Sequence, residues 1–166
     1  MRWADLTDPA AVEMLLAEVS PAAVIHLAAV IPPLCYAKPP ARLQVNVGAT
    51  ANIVKALEAH PNPVRLVQAS SIAVYGPRNP YRITDVLTAQ TPVNPYDNYG
   101  KHKVEAEGIV RASTLDWVIL RLGGVLTTEP NLGMDPPNLI FFEGVLPADG
   151  RLQTVDVRDV AFAFAA

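Results

Sequence analysis

VRLVQAS at residues 64–70 decides the fold. It is a short, mostly apolar run, set off by Pro61 and Pro63 on its amino side. Runs of this length and composition read as strands buried on both faces. The run leads straight into SSIAVYG at 70–76, so Ser71 sits just past the end of a buried strand. In open parallel sheets that carboxyl end is where ligands bind.

Two more runs of the same kind flank it. AVIHLAA at 23–29 lies upstream and WVILRL at 117–122 downstream, and helical patterns separate the three. Asp8-Pro9 marks a helix start, with Asp8 capping free amides and Pro9 in the first helical position. Val12, Leu15, Leu16 and Val19 then recur at helical spacing until Ser20-Pro21 ends them. Residues 41–60 form a long helical pattern with Leu43, Val47, Ile53, Val54 and Leu57 on its apolar side. A proline-rich loop fills 76–95, of a length that usually serves function. A helix is expected over 97–112, a short strand over 152–155 and a further helix from 157 to 166. The stretch before that strand, with Pro130, Pro136 and Pro137, reads as irregular. Strands alternating with helices predict an α/β fold, a parallel sheet covered by helices, in a single domain over 1–166.

Composition narrows the function. Hydrophobic residues make up 51% of the chain and charged ones 17%, which argues for a folded core rather than disorder. A formal net charge of -3 with no Lys/Arg cluster argues against a nucleic-acid partner. The most apolar stretch, 22–31, is interrupted by His26, stopped by Pro32-Pro33 and far short of a membrane span of roughly 20 residues. Without a signal peptide pattern behind Met1, a cytoplasmic location is expected, with no membrane partner. Cys35 has no second cysteine to pair with, which suits a reducing compartment, and reads as a packing or loop residue rather than a nucleophile.

The chemistry concentrates in two places. YGKHK at 99–103 puts Tyr99 and Lys103 four residues apart, on one face of the expected helix. An ammonium near a phenol stabilises the phenolate and lowers a pKa of about 10. That shift makes tyrosine an acid/base near neutral pH. Ser71 could hold a substrate oxygen beside Tyr99. A lone Tyr-x-x-x-Lys is usually a solvated helix face, and Ser-Ser after a strand is usually a turn. The order strand, Ser-Ser, long loop, helix with Tyr and Lys favours the chemical reading. No metal-ligand pattern surrounds Asp156 or Asp159, which read as helix caps. His26 reads as a core histidine, and His102, between two lysines, as solvent-facing.

These segments resemble the extended short-chain dehydrogenase/reductases, the NAD-dependent epimerase/dehydratase family. The resemblance runs through DLTD at 5–8, VIHLAA at 24–29, VNVGAT at 45–50, SSIAVYG, Pro92, Pro95, YGKHK, VILRLGGV at 118–125 and VDVRDVA at 155–161. It implies a partial Rossmann-like fold, a doubly wound parallel sheet with helices on both faces. It implies NAD as cofactor, with NADP open, and a small-molecule substrate, commonly a nucleotide sugar, though a steroid- or flavanol-like alcohol stays open. By the resemblance Tyr99 is the acid/base, Lys103 supports it and binds the nicotinamide ribose, and Ser71 orients the substrate. Asp5 and Leu6 would touch adenine, and Leu27, Ala28, Ala29, Ala69 and Leu122 would line the cofactor. For Asp5 a solvated turn competes with that role, and for Ala28 and Ala29 ordinary packing at a strand end. Family members often pair as homodimers through the helices that correspond to 41–59 and 97–112.

The chain departs from the family pattern in places. No G-x-G-x-x-G or G-x-x-G-x-x-G occurs in it. In the family that loop seats the pyrophosphate on a helix N-terminus. The expected reading is therefore a fragment lacking that loop and the C-terminal substrate-binding part. Ala49 stands in place of the usual glycine of Asn-Val-x-Gly-Thr, and Gly124 where many sugar-nucleotide members carry a substrate-binding asparagine. Without a neighbour, the 23–29 strand would be an exposed edge, so residues 1–166 alone are expected to associate, which light scattering would test. A non-catalytic dinucleotide-binding or interaction role is the alternative to an enzyme.

Overall fold

The computed structural model describes residues 1–36, 43–79, 81–127 and 153–166. They form two compact units, Met1–Arg78 with Asp85–Arg121, and Asn79–Thr84 with Leu122–Ala166.

The first unit starts with helix α1, Pro9–Val19. The Asp8 carboxylate accepts the Ala10 amide, Pro9 takes the first turn, and Ser20 closes the helix in a left-handed conformation at φ 44°. Strand β1, Ala23–His26, pairs in parallel with β2, Arg65–Ser71, in the register Ala23↔Arg65 to His26↔Gln68. Strand β3, Trp117–Leu122, lies on the other side of β2, giving the order β1-β2-β3.

β1 corrects two expectations. It ends at His26 instead of continuing to 29, where its ladder to β2 stops at the His26↔Gln68 pair. Beyond it, Asn46 accepts the Val30 amide at 2.6 Å and donates to the Val30 carbonyl at 3.0 Å, satisfying that residue's backbone. Nor is it covered on both faces. It is the edge strand of its sheet, and Ile25 is 47% exposed while Val24 and His26 turn inward.

The long helix expected over 41–60 is composite. Residues 37–42 lie outside the described residues. Gln44–Gly48 forms a π-helical turn that runs into helix α2, Ala49–Glu58. The wide turn buries polar Asn46 beside Val47, while Leu43, expected on the apolar side, is exposed. π-turns of this kind often mark functional sites. Helix α3, Asn98–Ala112, follows the long loop and is capped by Asp97, which accepts the Gly100 amide at 2.7 Å.

The three helices share one core with the sheet. Val12 and Leu16 of α1, Ile53, Val54 and Leu57 of α2 and Val110 of α3 meet Val64 and Leu66, with Val24, Trp117 and Ile119 packed against them. Burying such side chains stabilises by about 1.5–3 kcal/mol each.

The second unit holds strands β4, Gly124–Leu126, and β5, Thr154–Asp156, paired in parallel, and helix α4, Val157–Ala165. Asp156 caps α4 by accepting the Arg158 amide, and Asp159 lies in its first turn. β4 was not expected: three residues are too few to display a period, and its pairing partner is far along the chain. The proline-containing stretch at 128–152 lies outside the described residues. No helix among the described residues is long and apolar enough to cross a membrane.

Candidate functional site

The site begins where β2 ends. Ala69 and Ser70 are buried in the strand, and Ser71, half-buried, accepts the Ala73 amide and starts a 3-10 turn, Ile72–Tyr75. The chain then leaves through Gly76, whose φ of 66° suits glycine. A Cβ there would lie 2.2 Å from the Asn94 carbonyl oxygen, and Asn94 donates to Val74 at 2.8 Å. The long loop is thus pinched shut next to its origin, and α3 starts beside the turn that carries Ser71.

Ser71, Tyr99 and Lys103 come together. The Ser71 hydroxyl lies close enough to the Tyr99 phenol to favour its ionised form. The Lys103 ammonium lies 5.8 Å from the centre of the Tyr99 ring and donates to the Ala69 carbonyl at 2.8 Å. Burial pushes the Lys103 pKa down to about 8, against the pull of Glu107.

The phenol differs from expectation. Burial raises its pKa above the usual value, and the nearby Ser71 hydroxyl only partly offsets this. Lys103 does not depress it, because its ammonium is spent on the Ala69 carbonyl rather than on the phenolic oxygen.

His26 is the core histidine expected. It is buried, lies 3.3 Å from the Thr50 hydroxyl, and is held near pKa 4 by burial and by the charge of Lys103. His102 is a correction: it is buried, not solvent-facing, with Nδ1 3.4 Å from the Asn46 amide nitrogen. The inward face of α3 carries Gly100, His102, Lys103, Ala106, Glu107 and Val110, so a histidine between two lysines turns in alongside one of them. Cys35 is fully buried, in line with a packing role.

The remaining candidates are placed as follows. Leu27, Ala28 and Ala29 follow β1 at the same sheet end as Ala69, by the parallel register, with Leu27 and Ala28 exposed and Ala29 half-buried. Asp5 is exposed and forms a turn, its carboxylate accepting the Thr7 amide at 2.9 Å and hydroxyl at 2.7 Å, which hold its pKa below the usual value. Leu6 packs on the core and its carbonyl accepts from Asn52. Leu122 is the last residue of β3.

Sequence reasoning missed Asn46, Gly100, Glu107 and Arg121. Two of these left a signal. Gly100 is a costly residue inside a helix, and Arg121 is a charge inside an otherwise apolar strand, which requires a buried partner.

Comparisons with known proteins bear on the family and the fold. Residues 1–133 match the model of the NAD dependent epimerase/dehydratase family. UDP-glucose 4-epimerase 2 of Oryza sativa subsp. japonica is 33% identical over 147 residues, covering 80% of this chain and 33% of the relative. Methionine adenosyltransferase 2 subunit beta of Rattus norvegicus is 32% identical over 119 residues, covering 71% and 34%. The chain thus spans about a third of the length of the curated relatives it matches. Among solved structures, the fold matches the UDP-glucose 4-epimerase of Thermus thermophilus in complex with NAD at a TM-score of 0.78, with 24% identity over 97% of this chain and 57% of that one.

Proposed function

The chain belongs to the NAD dependent epimerase/dehydratase family, and on that premise we propose that it carries the acid/base centre of an enzyme that oxidises a hydroxyl of a nucleotide sugar with NAD or NADP. The placement of Tyr99 beside Lys103, with the start of its helix packed on the turn that Ser71 opens, carries this reading.

The residues present fit the nicotinamide end of such a cofactor. Small side chains, Ala28, Ala29 and Ala69, cluster at one sheet end and let backbone approach closely, while Lys103 offers a cation next to Tyr99. No glycine-rich loop for a pyrophosphate is present in the sequence. When bound, the nicotinamide supplies the hydride acceptor.

The residues themselves perform the proton chemistry. Ser71 donates to or accepts from the substrate oxygen and orients it toward Tyr99. Tyr99 removes the hydroxyl proton as the carbon loses hydride, and returns it when the carbonyl is reduced again. Lys103, anchored on the Ala69 carbonyl beside the Tyr99 ring, holds the ribose. Asp5 and Leu6, Leu27 to Ala29, and Leu122 complete the cofactor contacts in this proposal. Return of hydride to the opposite face would give epimerisation; its retention on the cofactor would give a dehydrogenase. A homodimer through α2 and α3 and a cytoplasmic location are part of the same reading.

The test is the full-length protein with NAD and a panel of UDP-sugars. Product formation in the wild type and a kcat lower by on the order of 10²-fold in Ser71→Ala support the proposal. A second reading, a non-catalytic dinucleotide-binding or interaction role, draws on a relative named as one subunit of an assembly, methionine adenosyltransferase 2 subunit beta. Dinucleotide binding with no turnover of any UDP-sugar or simple alcohol would select it.

A further inference from the structure

One side chain on α3 lies outside this chemistry but is buried more deeply than Tyr99. Glu107 sits two turns beyond Tyr99 on the same face, about 12 Å along the axis. Its side chain is 5% exposed, and both carboxylate oxygens are bonded. Oε1 accepts from the Ser70 hydroxyl at 2.6 Å and from Arg121 Nε at 2.9 Å. Oε2 accepts from Arg121 Nη2 at 2.6 Å, and Arg111 approaches it at 3.5 Å. Arg121 turns its remaining nitrogen, Nη1, to the Tyr75 hydroxyl at 2.7 Å and stacks over that ring at 4.9 Å. The Tyr75 hydroxyl in turn donates to the Thr88 carbonyl at 2.8 Å.

These bonds converge on one short stretch. Ser70 immediately precedes Ser71, and Tyr75 closes the turn that Ser71 opens. Both ends of the turn are therefore held by one bidentate ion pair, which also joins α3 to β3. Resting on the acid/base reading above, we propose that the buried Glu107–Arg121 pair is the positioning element of the site: it sets the separation of the Ser71 hydroxyl from the Tyr99 phenol.

A buried ion pair is a poor device for stability alone, since desolvation consumes most of its attraction. It is a good device for geometry, because the guanidinium fork and the carboxylate meet in only one arrangement. Displacement of a reacting group by ~1 Å costs on the order of 10²-fold in rate.

The test uses the full-length protein with Glu107→Gln and Arg121→Lys. Both substitutions retain approximate size, and Arg121→Lys retains the charge but loses the fork. Circular dichroism and a cooperative melt establish which variants fold. Tyrosinate absorbance is then followed against pH, with the same variant carrying Tyr99→Phe subtracted to isolate Tyr99. For folded variants we expect kcat lower by ~10- to 100-fold, KM for the dinucleotide unchanged, and Tyr99 titrating at higher pH than in wild type as the Ser71 hydroxyl moves away from it.

A merely structural pair would lower the melting temperature and leave the Tyr99 titration where it is. That result, or unchanged kcat in a folded variant, overturns the proposal. Should Glu107→Gln and Arg121→Lys both fail to fold, Tyr75→Phe decides. It keeps the ring over Arg121 and removes only the hydroxyl bonds, and it must move kcat and the Tyr99 titration in the same directions. Activity that survives Tyr99→Phe alone would instead overturn the acid/base reading itself.

Discussion

Gly100 and Ala73 stand so close that a Cβ on the glycine would lie 2.6 Å from the alanine's carbonyl oxygen. The first turn of α3 therefore rests directly on the turn that starts at Ser71, and Tyr99 is the residue next to that contact. The close approach explains why a glycine is tolerated in a helix where alanine would favour helix formation by about 1 kcal/mol.

Gly100→Ala should push α3 away from Ala73 and lower kcat by ~10-fold or more. Gly108, on the exposed side of the same helix, has nothing within 4 Å of its would-be Cβ. Gly108→Ala should raise stability by up to about 1 kcal/mol and leave kcat unchanged. Steady-state kinetics and thermal melts of the two variants check the pair. Equal responses at the two positions would remove the packing argument.

Lys103 should make stability depend on alkaline pH. Its folded pKa of about 8 lies below the free value of 10.5, chiefly through burial. The cost of burying the charge is full below pH 8 and is relieved as pH rises to 10.5, by on the order of 3 kcal/mol. Urea unfolding of wild type and Lys103→Met should show the difference moving in favour of wild type across that window. A flat difference would mean the ammonium is better solvated than its 4% exposure indicates.

His26 should act on the acid side. Its folded pKa is about 4 against 6.5 when free, from burial and then Lys103. Below pH 6.5 the unfolded chain takes up a proton that the folded chain refuses, so stability falls as pH drops through 6.5 to 4, by on the order of 3 kcal/mol. His26→Gln should remove that part of the fall in a urea series at pH 7, 5.5 and 4. Persistence of the full fall in the variant would assign it to other groups.

What was legible in the sequence was local. Asp8-Pro9 and the spacing of Val12 and Leu16 located α1, and WVILRL located β3 to the residue. Ser71 follows from its place at a strand end, and Tyr99 with Lys103 from a four-residue spacing, so the three could be grouped before any coordinates. What escaped depends on contacts between distant residues. Asn46 bonds the Val30 backbone, 16 residues away, and its π-turn has no composition that sets it apart from ordinary helix. Glu107 and Arg121 are 14 apart, and although Arg121 stands out as a charge in an apolar strand, its partner is not evident until α3 is laid on β3. His102 was misread because its lysine neighbours suggested solvent, whereas Lys103 is itself buried. The lysine's hold on Ala69, rather than on the phenol, is likewise set by how deep α3 seats against β2.

The central claim is that Tyr99 moves the substrate's proton. Turnover of a UDP-sugar by the full-length protein with NAD, wild type against Tyr99→Phe, measures it most directly. Phenylalanine keeps the ring against Lys103 and removes only the hydroxyl. The account predicts a kcat lower by 10²- to 10⁴-fold, on the order of what a general acid/base contributes, with dinucleotide binding retained. A kcat within about twofold of wild type, a change of under ~0.5 kcal/mol in the barrier, would contradict it.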